Sequence, residues 1–177
     1  MITNIIITDA LNNKGKARQL IYESYLGYVL TVTRRYGISI SDEVDMVQDI
    51  FVEVFISLDR YDSGKGEFKS WLRKIAVNQI LKRKRKGSNM YVVSLEQVSS
   101  QTTSDMQLAE YDAEYILDEI DKLPEGYQTV FNMYEIDGYS HKEIGKKLKI
   151  SAQTSKSQLS RAKNLLRKKL RRFIAII

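Results

Sequence analysis

Hydrophobic residues recur along most of this chain at intervals of three and four, the spacing that gathers one face of an α-helix. From Lys16 to Tyr36, Leu20, Ile21, Tyr25, Tyr28, Val29 and Val32 fall at core spacing, and Gly37 is suited to end the helix. A second helix begins at Ser41 or Asp42. Val44, Val47, Phe51, Val54, Phe55 and Leu58 form its apolar stripe, and Asp45, Gln48, Asp49 and Glu53 take the opposite face. Residues 60–67, centred on Asp62-Ser63-Gly64-Lys65-Gly66, read as a turn-rich loop. A third helix starts at Phe68 and runs through Lys82-Arg83-Lys84-Arg85-Lys86 to Gly87.

Between residues 88 and 107 the periodicity lapses and Ser, Thr and Gln dominate, as in an interdomain linker; Tyr91 to Leu95 reads as a short strand or an extended segment packed on a neighbour. Helix resumes over residues 108–122. Pro124, the one proline, suits the first turn of a further helix reaching Asp137. Beyond it the local signals are densest. Ser140 is an N-cap, and Glu143 completes a capping box. Ile144 and Leu148 supply an apolar face, Lys149-Ile150-Ser151 a turn, and Ser151 a second cap. Ser155, Leu159, Ala162, Leu166 and Leu170 then keep a small or apolar face at helical spacing. The pattern predicts a helix-turn-helix. The expected fold is all-α: two small helical domains, residues 1–87 and 108–177, joined by a flexible linker.

Charge sharpens this picture. The chain has 177 residues, 43% hydrophobic, and a net charge of +6, which suits a polyanionic partner. One basic block is residues 82–86; the other holds Arg161, Lys163, Arg167, Lys168, Lys169, Arg171 and Arg172. Residues 88–125 between them carry nine Asp or Glu against a single Lys, so the two cationic blocks read as separate DNA-facing surfaces. With no cysteine, disulfides, zinc–cysteine sites and thiol switches are excluded. A lone histidine argues against a histidine metal site, and no cofactor or metal is expected. Ile5-Ile6-Ile7 is too short for a signal peptide or membrane span, and a cytoplasmic protein is expected.

Two stretches carry candidate chemistry. On the second helix of the helix-turn-helix, Gln153, Thr154, Lys156, Ser157, Ser160 and Arg161 offer groups able to reach base edges and phosphates. The same pattern also fits an ordinary helical hairpin with a solvated charged side. From Phe68 to Asn78, aromatics alternate with cations and hydrogen-bonding groups, the chemistry that binds unpaired bases; Phe68 and Trp71 serve equally well as core residues. His141 reads as solvent-facing or phosphate-adjacent rather than as a ligand or catalyst.

These residues resemble a known family. Val44-Asp45-Met46-Val47-Gln48-Asp49-Ile50-Phe51, Leu58-Asp59-Arg60-Tyr61-Asp62, Phe68-Lys69-Ser70-Trp71-Leu72 and Ile75-Ala76-Val77-Asn78 look like region two of bacterial RNA polymerase sigma factors. Leu123-Pro124-Glu125-Gly126-Tyr127-Gln128-Thr129-Val130-Phe131, Gly138 to Ile144 and Thr154 to Ala162 look like region four. Two such regions joined by a short linker resemble the extracytoplasmic-function (ECF) group. The resemblance implies a protein that binds core RNA polymerase, recognises promoter −35 and −10 elements and promotes melting. It implies that Asp45, Gln48, Asp49 and Glu53 grip the polymerase beta-prime coiled coil. Lys69, Ser70, Trp71, Lys74 and Asn78, with the 62–67 loop, would hold a flipped base of the −10 element, and Lys82, Arg83 and Arg85 its phosphates. Thr154, Lys156, Ser157, Ser160 and Arg161 would enter the −35 major groove, with Lys163 and Arg167 on the backbone and Arg161 the strongest reader. A contact with the polymerase beta flap and an anti-sigma partner are implied as well. Ser155 and Gln158 depart from the family, which often carries bulkier or charged residues there.

Other classes fit less of the chain. A conventional helix-turn-helix regulator leaves the Trp71 to Asn78 stretch and the acidic second helix unused. A metal-dependent nuclease built on Asp42, Asp45, Asp49 and Glu53 lacks a paired general base. A pure protein adaptor leaves both basic blocks unexplained.

Overall fold

The computed structural model describes residues 4–87 and 112–174, with side chains from 4–85 and 115–170. All regular structure among the described residues is helical. The chain divides into two compact units at Gly87 and Ser88. The segment read as a linker, including Tyr91 to Leu95, lies outside the described residues, as do 108–111 of the resumed helix and the side chains of Arg171 and Arg172.

The N-terminal unit holds α1 (Asn4–Leu11), α2 (Gly15–Arg35), α3 (Ile40–Ile56) and α4 (Phe68–Gly87). No element was assigned from sequence to the stretch before Lys14; there α1 buries Ile7 and Ala10. Gly37 ends α2 at φ 69°. Its amide donates to the Arg34 carbonyl and that of Ile38 to Thr33, the paired bonds of a Schellman stop. Ser39, rather than Ser41 or Asp42, is the residue preceding α3. There the Glu43 carboxylate is buried and accepts from Arg34 Nε and Nη2 at 2.7 and 3.0 Å. This ion pair joins the end of α2 to the start of α3.

The core face of α3 is Met46, Val47, Ile50, Phe51 and Val54. Val44, expected in the stripe, is 64% exposed; at about 100° per residue it lies roughly 80° around the helix from the centre of that face. Leu20 of α2 is likewise exposed, whereas Ile21, Val29 and Val32 are buried with Tyr36. Leu72, Ala76, Val77, Ile80 and Leu81 bring α4 into the same core. Each large aliphatic side chain so buried contributes about 1.5–3 kcal/mol. Between α3 and α4 the loop makes two short 3-10 turns, residues 58–60 and 63–65.

The C-terminal unit holds α5 (Asp112–Asp121), α6 (Glu125–Phe131), a π-helical turn (Asn132–Ile136), α7 (His141–Leu148) and α8 (Ala152–Ile174). Pro124 precedes α6 as its cap, at φ −51° and ψ 136°, rather than sitting in the first turn. The helix expected to reach Asp137 widens after Phe131 into the π turn. Ile120, Leu123, Tyr127, Ala162 and Leu166 form one apolar cluster, backed by Phe131, Leu165 and Leu170. The buried Glu119 carboxylate lies 3.0 Å from Lys122 Nζ and 2.8 Å from Lys169 Nζ, fastening α5 to α8. Burial alone would raise this carboxyl; the two lysines outweigh it and hold it below its usual range.

Candidate nucleic-acid interface

The helix-turn-helix is built as its local signals predict. Ser140 Oγ accepts from the Glu143 amide, and Glu143 Oε2 accepts from the Ser140 amide at 2.8 Å. Ile144 and Leu148 are buried. Lys149 closes α7 in the left-handed region, φ 57° and ψ 41°. The turn then passes so close over Gly145 that a Cβ there would stand 2.8 Å from the Ile150 carbonyl oxygen. Ser151 Oγ caps α8 by accepting from the Thr154 amide at 2.9 Å. Ser155, Leu159, Ala162 and Leu166 face inward.

That packing leaves a polar outer face. Gln153, Thr154, Lys156, Ser160, Arg161, Lys163 and Arg167 are exposed, and Ser157 is half-buried with its hydroxyl donating to the Gln153 carbonyl. The cations differ in availability. Lys163 Nζ lies 2.7 Å from Glu135, and Arg167 donates to Asn164 Oδ1 at 2.7 Å. Arg161 has no ion-pair partner among the described residues, so its guanidinium is open to a base edge. Neither Ser155 nor Gln158 reaches this face: both are buried, so their departure from the family bears on how α8 is seated. His141 differs from its sequence reading too. It is half-buried, stacked on Tyr134 and hydrogen-bonded to Ser155.

In the N-terminal unit, Ser70, Lys74, Asn78 and Lys82 recur every fourth residue of α4 and so form one ridge; Lys74, Asn78 and Lys82 are exposed and Ser70 is half-buried. Trp71 is half-buried, 5.4 Å from each of the rings of Tyr61 and Phe68. Tyr25 adds a fourth ring, 5.3 Å from Phe68, and Lys69 Nζ sits 4.6 Å over Tyr28. Tyr61, Tyr25 and Tyr28 were not selected from sequence as site residues. Tyr61 lies at the mouth of the loop that α4 follows, and three aromatics within eleven positions, Tyr61, Phe68 and Trp71, were the available signal. The Tyr61 hydroxyl donates to the Gly66 carbonyl at 3.1 Å, bracing that loop. Asp62 Oδ1 accepts from the Gly64 amide; that bond and Lys65 hold the Asp62 carboxyl below its usual range.

Arg83 is not freely available for phosphate. Its guanidinium lies 3.2 Å from Asp42 and 3.6 Å from Asp49 of α3. Arg85 is exposed, with Nε donating to the Leu81 carbonyl. On α3, Asp45, Gln48 and Asp49 are exposed, and Glu53 is half-buried and accepts from Ser57 Oγ at 3.0 Å. The same outer face carries apolar groups that sequence reading assigned to the core or overlooked. Val44, Val52 and Ile56 are 64, 58 and 66% exposed and share an i,i+4 row with Gln48. An acidic surface threaded by exposed aliphatics suits a partner that is both basic and apolar.

A helix-turn-helix with an open reading helix, in one chain with a second unit bearing a cationic ridge beside half-buried aromatics, defines a DNA-binding transcription protein with two recognition modules. The chain matches the Sigma-70 region 2 family over residues 21–89 and the Sigma-70, region 4 family over residues 113–166. It is 32% identical over 147 residues to the ECF RNA polymerase sigma factor SigW of Bacillus subtilis, covering 75% of this chain and 78% of that one. It is 26% identical to the ECF RNA polymerase sigma-E factor of Escherichia coli K12, over 96% of this chain and 95% of that one. Among solved structures, the sigma factor RpoE of Bartonella quintana in complex with the anti-sigma factor NepR matches with a TM-score of 0.53 and 20% identity, covering 86% of this chain and 96% of that one. The protein belongs to the ECF family of RNA polymerase sigma factors.

Proposed function

We propose that this protein is the promoter-reading subunit of a bacterial RNA polymerase. It docks on core polymerase through the outer face of α3, with Asp45, Gln48, Asp49 and Glu53 against the beta-prime coiled coil and Val44, Val52 and Ile56 in the same contact. The C-terminal unit meets the beta flap and lays α8 in the major groove of the −35 element. There Thr154, Lys156, Ser157, Ser160 and Arg161 face the bases and Lys163 and Arg167 the backbone. In the N-terminal unit, Lys69, Ser70, Trp71, Lys74 and Asn78 hold unpaired bases of the −10 element against the 61–67 loop, with Lys82, Arg83 and Arg85 on phosphates. Domain one spans residues 1–87, the linker 88–107 and domain two 108–177.

The observation that carries this reading is the coexistence of Arg161, with no ion-pair partner among the described residues, on an open recognition helix with an aromatic and cationic face on a separate unit. A repressor needs only the first. Affinity for the unpaired state shifts the duplex toward melting, because a ligand moves an equilibrium by its differential affinity. Two tethered modules also raise each other's effective concentration on one promoter. Nucleotide chemistry belongs to the polymerase; this chain is not an enzyme. It acts in the cytoplasm, and no helix among the described residues is long and apolar enough to cross a membrane. An anti-sigma protein covering the α3 face would hold the chain inactive, a reading supported by the complex in which its structural relative is found.

Binding to fluorescently labelled core polymerase tests the docking half of this reading. Saturable binding weakened by Asp45→Arg is expected. No binding by the wild-type chain, together with tight autonomous binding to duplex DNA, would move the function to a conventional regulator.

A further inference from the structure

The recognition helix is seated unevenly. From Leu159 onward, α8 is locked by apolar packing through Ala162 and Leu166. Its first turn is anchored instead by a polar contact: Ser155, at 0% exposure, has its hydroxyl 2.9 Å from His141 Nδ1. His141 opens α7 and stacks on Tyr134 of the π turn, ring centres 4.3 Å apart and 19° from parallel. One imidazole therefore touches three consecutive elements at the point where the candidate readers begin. Its chemistry is that of a spacer. Burial, and then the charge of Lys156, lower its pKa, and a helix N-terminus also disfavours the cation. A neutral ring lends shape and a hydrogen bond and brings no charge to a phosphate.

We infer that His141 is a positioning residue for promoter reading, which through its hydrogen bond with Ser155 sets where the first turn of α8 stands in the groove. The inference rests on the proposed −35 role of α8. Thr154 lies eight residues before Ala162, about 12 Å along the helix axis. A tilt of about 10° pivoting at Ala162 would carry Thr154 some 2 Å sideways, against a tolerance of roughly 0.5 Å for a productive contact. Lys156 and Ser157 move with it. Loss of one anchoring hydrogen bond is thus amplified into lost registration with the bases.

The test uses the full chain bound to core polymerase and a promoter duplex selected from a library randomised across its upstream half. The readout is the ratio of affinities for the selected duplex and a scrambled one. His141→Phe keeps a flat ring on Tyr134 but has no Nδ1; Ser155→Ala removes the other partner; the side-chain amide of His141→Asn can occupy the place of Nδ1. Phe and Ala variants should each lower the ratio about five-fold, the weight of one hydrogen bond of about 1 kcal/mol. The double variant should lose little more, and His141→Asn should keep the wild-type ratio. A merely structural role lowers the active fraction and leaves the ratio intact. A ratio unchanged in the Phe and Ala variants, an additive double variant, or equal loss in His141→Asn overturns the inference. A wild-type chain that shows no preference overturns the −35 reading and the inference with it.

Discussion

Replacing Val52 and Ile56 together by alanine separates binding from folding on α3. Val→Ala removes two carbons and Ile→Ala three, at about 0.8 kcal/mol per buried CH2. Val52 is 58% and Ile56 66% exposed in the free chain, so docking that fully covers them gains about 0.9 and 1.6 kcal/mol from these atoms. The double variant should therefore bind core polymerase about 2.5 kcal/mol more weakly, roughly 60-fold in Kd. The fraction already buried represents about 1.5 kcal/mol of folding stability. Alanine's higher helix propensity returns roughly 1 kcal/mol of it across two helical positions. Net destabilisation near 0.5 kcal/mol leaves the fold intact. Competition binding against labelled wild-type protein gives the Kd, and thermal unfolding of the same samples gives the control. A Kd within about three-fold of wild type would refute the assignment of this row to the interface. An unfolding midpoint lowered in proportion to the lost binding would return the row to the core.

Other substitutions probe the remaining parts. Lys149→Gly relieves a left-handed lysine, a strain of about 1–2 kcal/mol partly offset by glycine's greater unfolded-state entropy. The C-terminal unit should gain about 0.5–1 kcal/mol, a rise of roughly 3–6 °C in its melting midpoint, and a fall would contradict the turn geometry. The Arg34 hydrogen bonds hold the Glu43 carboxyl below its ordinary 4.5 despite burial. Its contribution is therefore present above that pH and lost as pH falls through the lowered folded value. Urea unfolding should show the stability of the N-terminal unit falling more steeply below about pH 4.5 in wild type than in Glu43→Gln; parallel profiles would contradict the pairing. Asp42→Asn loosens the hold on Arg83, so the free chain should bind a single-stranded −10 oligonucleotide about two- to three-fold more tightly. That gain should vanish when Arg83→Ala is added.

Features written in contiguous residues were the legible ones. The capping box at Ser140 and Glu143, the Ser151 cap and the stripe from Ser155 to Leu170 each depend on neighbours within a turn or two. The helix-turn-helix could therefore be read directly, and α4 from Phe68 to Gly87 equally so. Errors arose where tertiary partners decide. Val44 has the right character for a core stripe but stands at its edge, and only the packing of α2 and α4 defines which face of α3 is inward. Arg83 meets Asp42 across 41 positions, a pairing that no local pattern encodes. The second contact of Arg83, 3.6 Å to Asp49, joins a residue assigned to DNA with one assigned to polymerase. His141 looks like a surface residue in sequence, and its contact with the inward-facing Ser155 depends on the turn folding tightly over Gly145. The π turn after Phe131 left no signal in hydrophobic spacing, since Met133 and Ile136 fit an α-helix as well.

In the proposed function one chain serves two DNA states for a polymerase. Runoff transcription with purified core polymerase measures this most directly, using a library of duplex promoters and the same templates with a pre-melted bubble. Initiation from defined sites should require this protein. Arg161→Ala should weaken discrimination of duplex −35 sequences by about 1–3 kcal/mol, and Trp71→Ala should impair duplex templates more than pre-melted ones. Transcription from both template types that is indifferent to the protein would contradict the central claim.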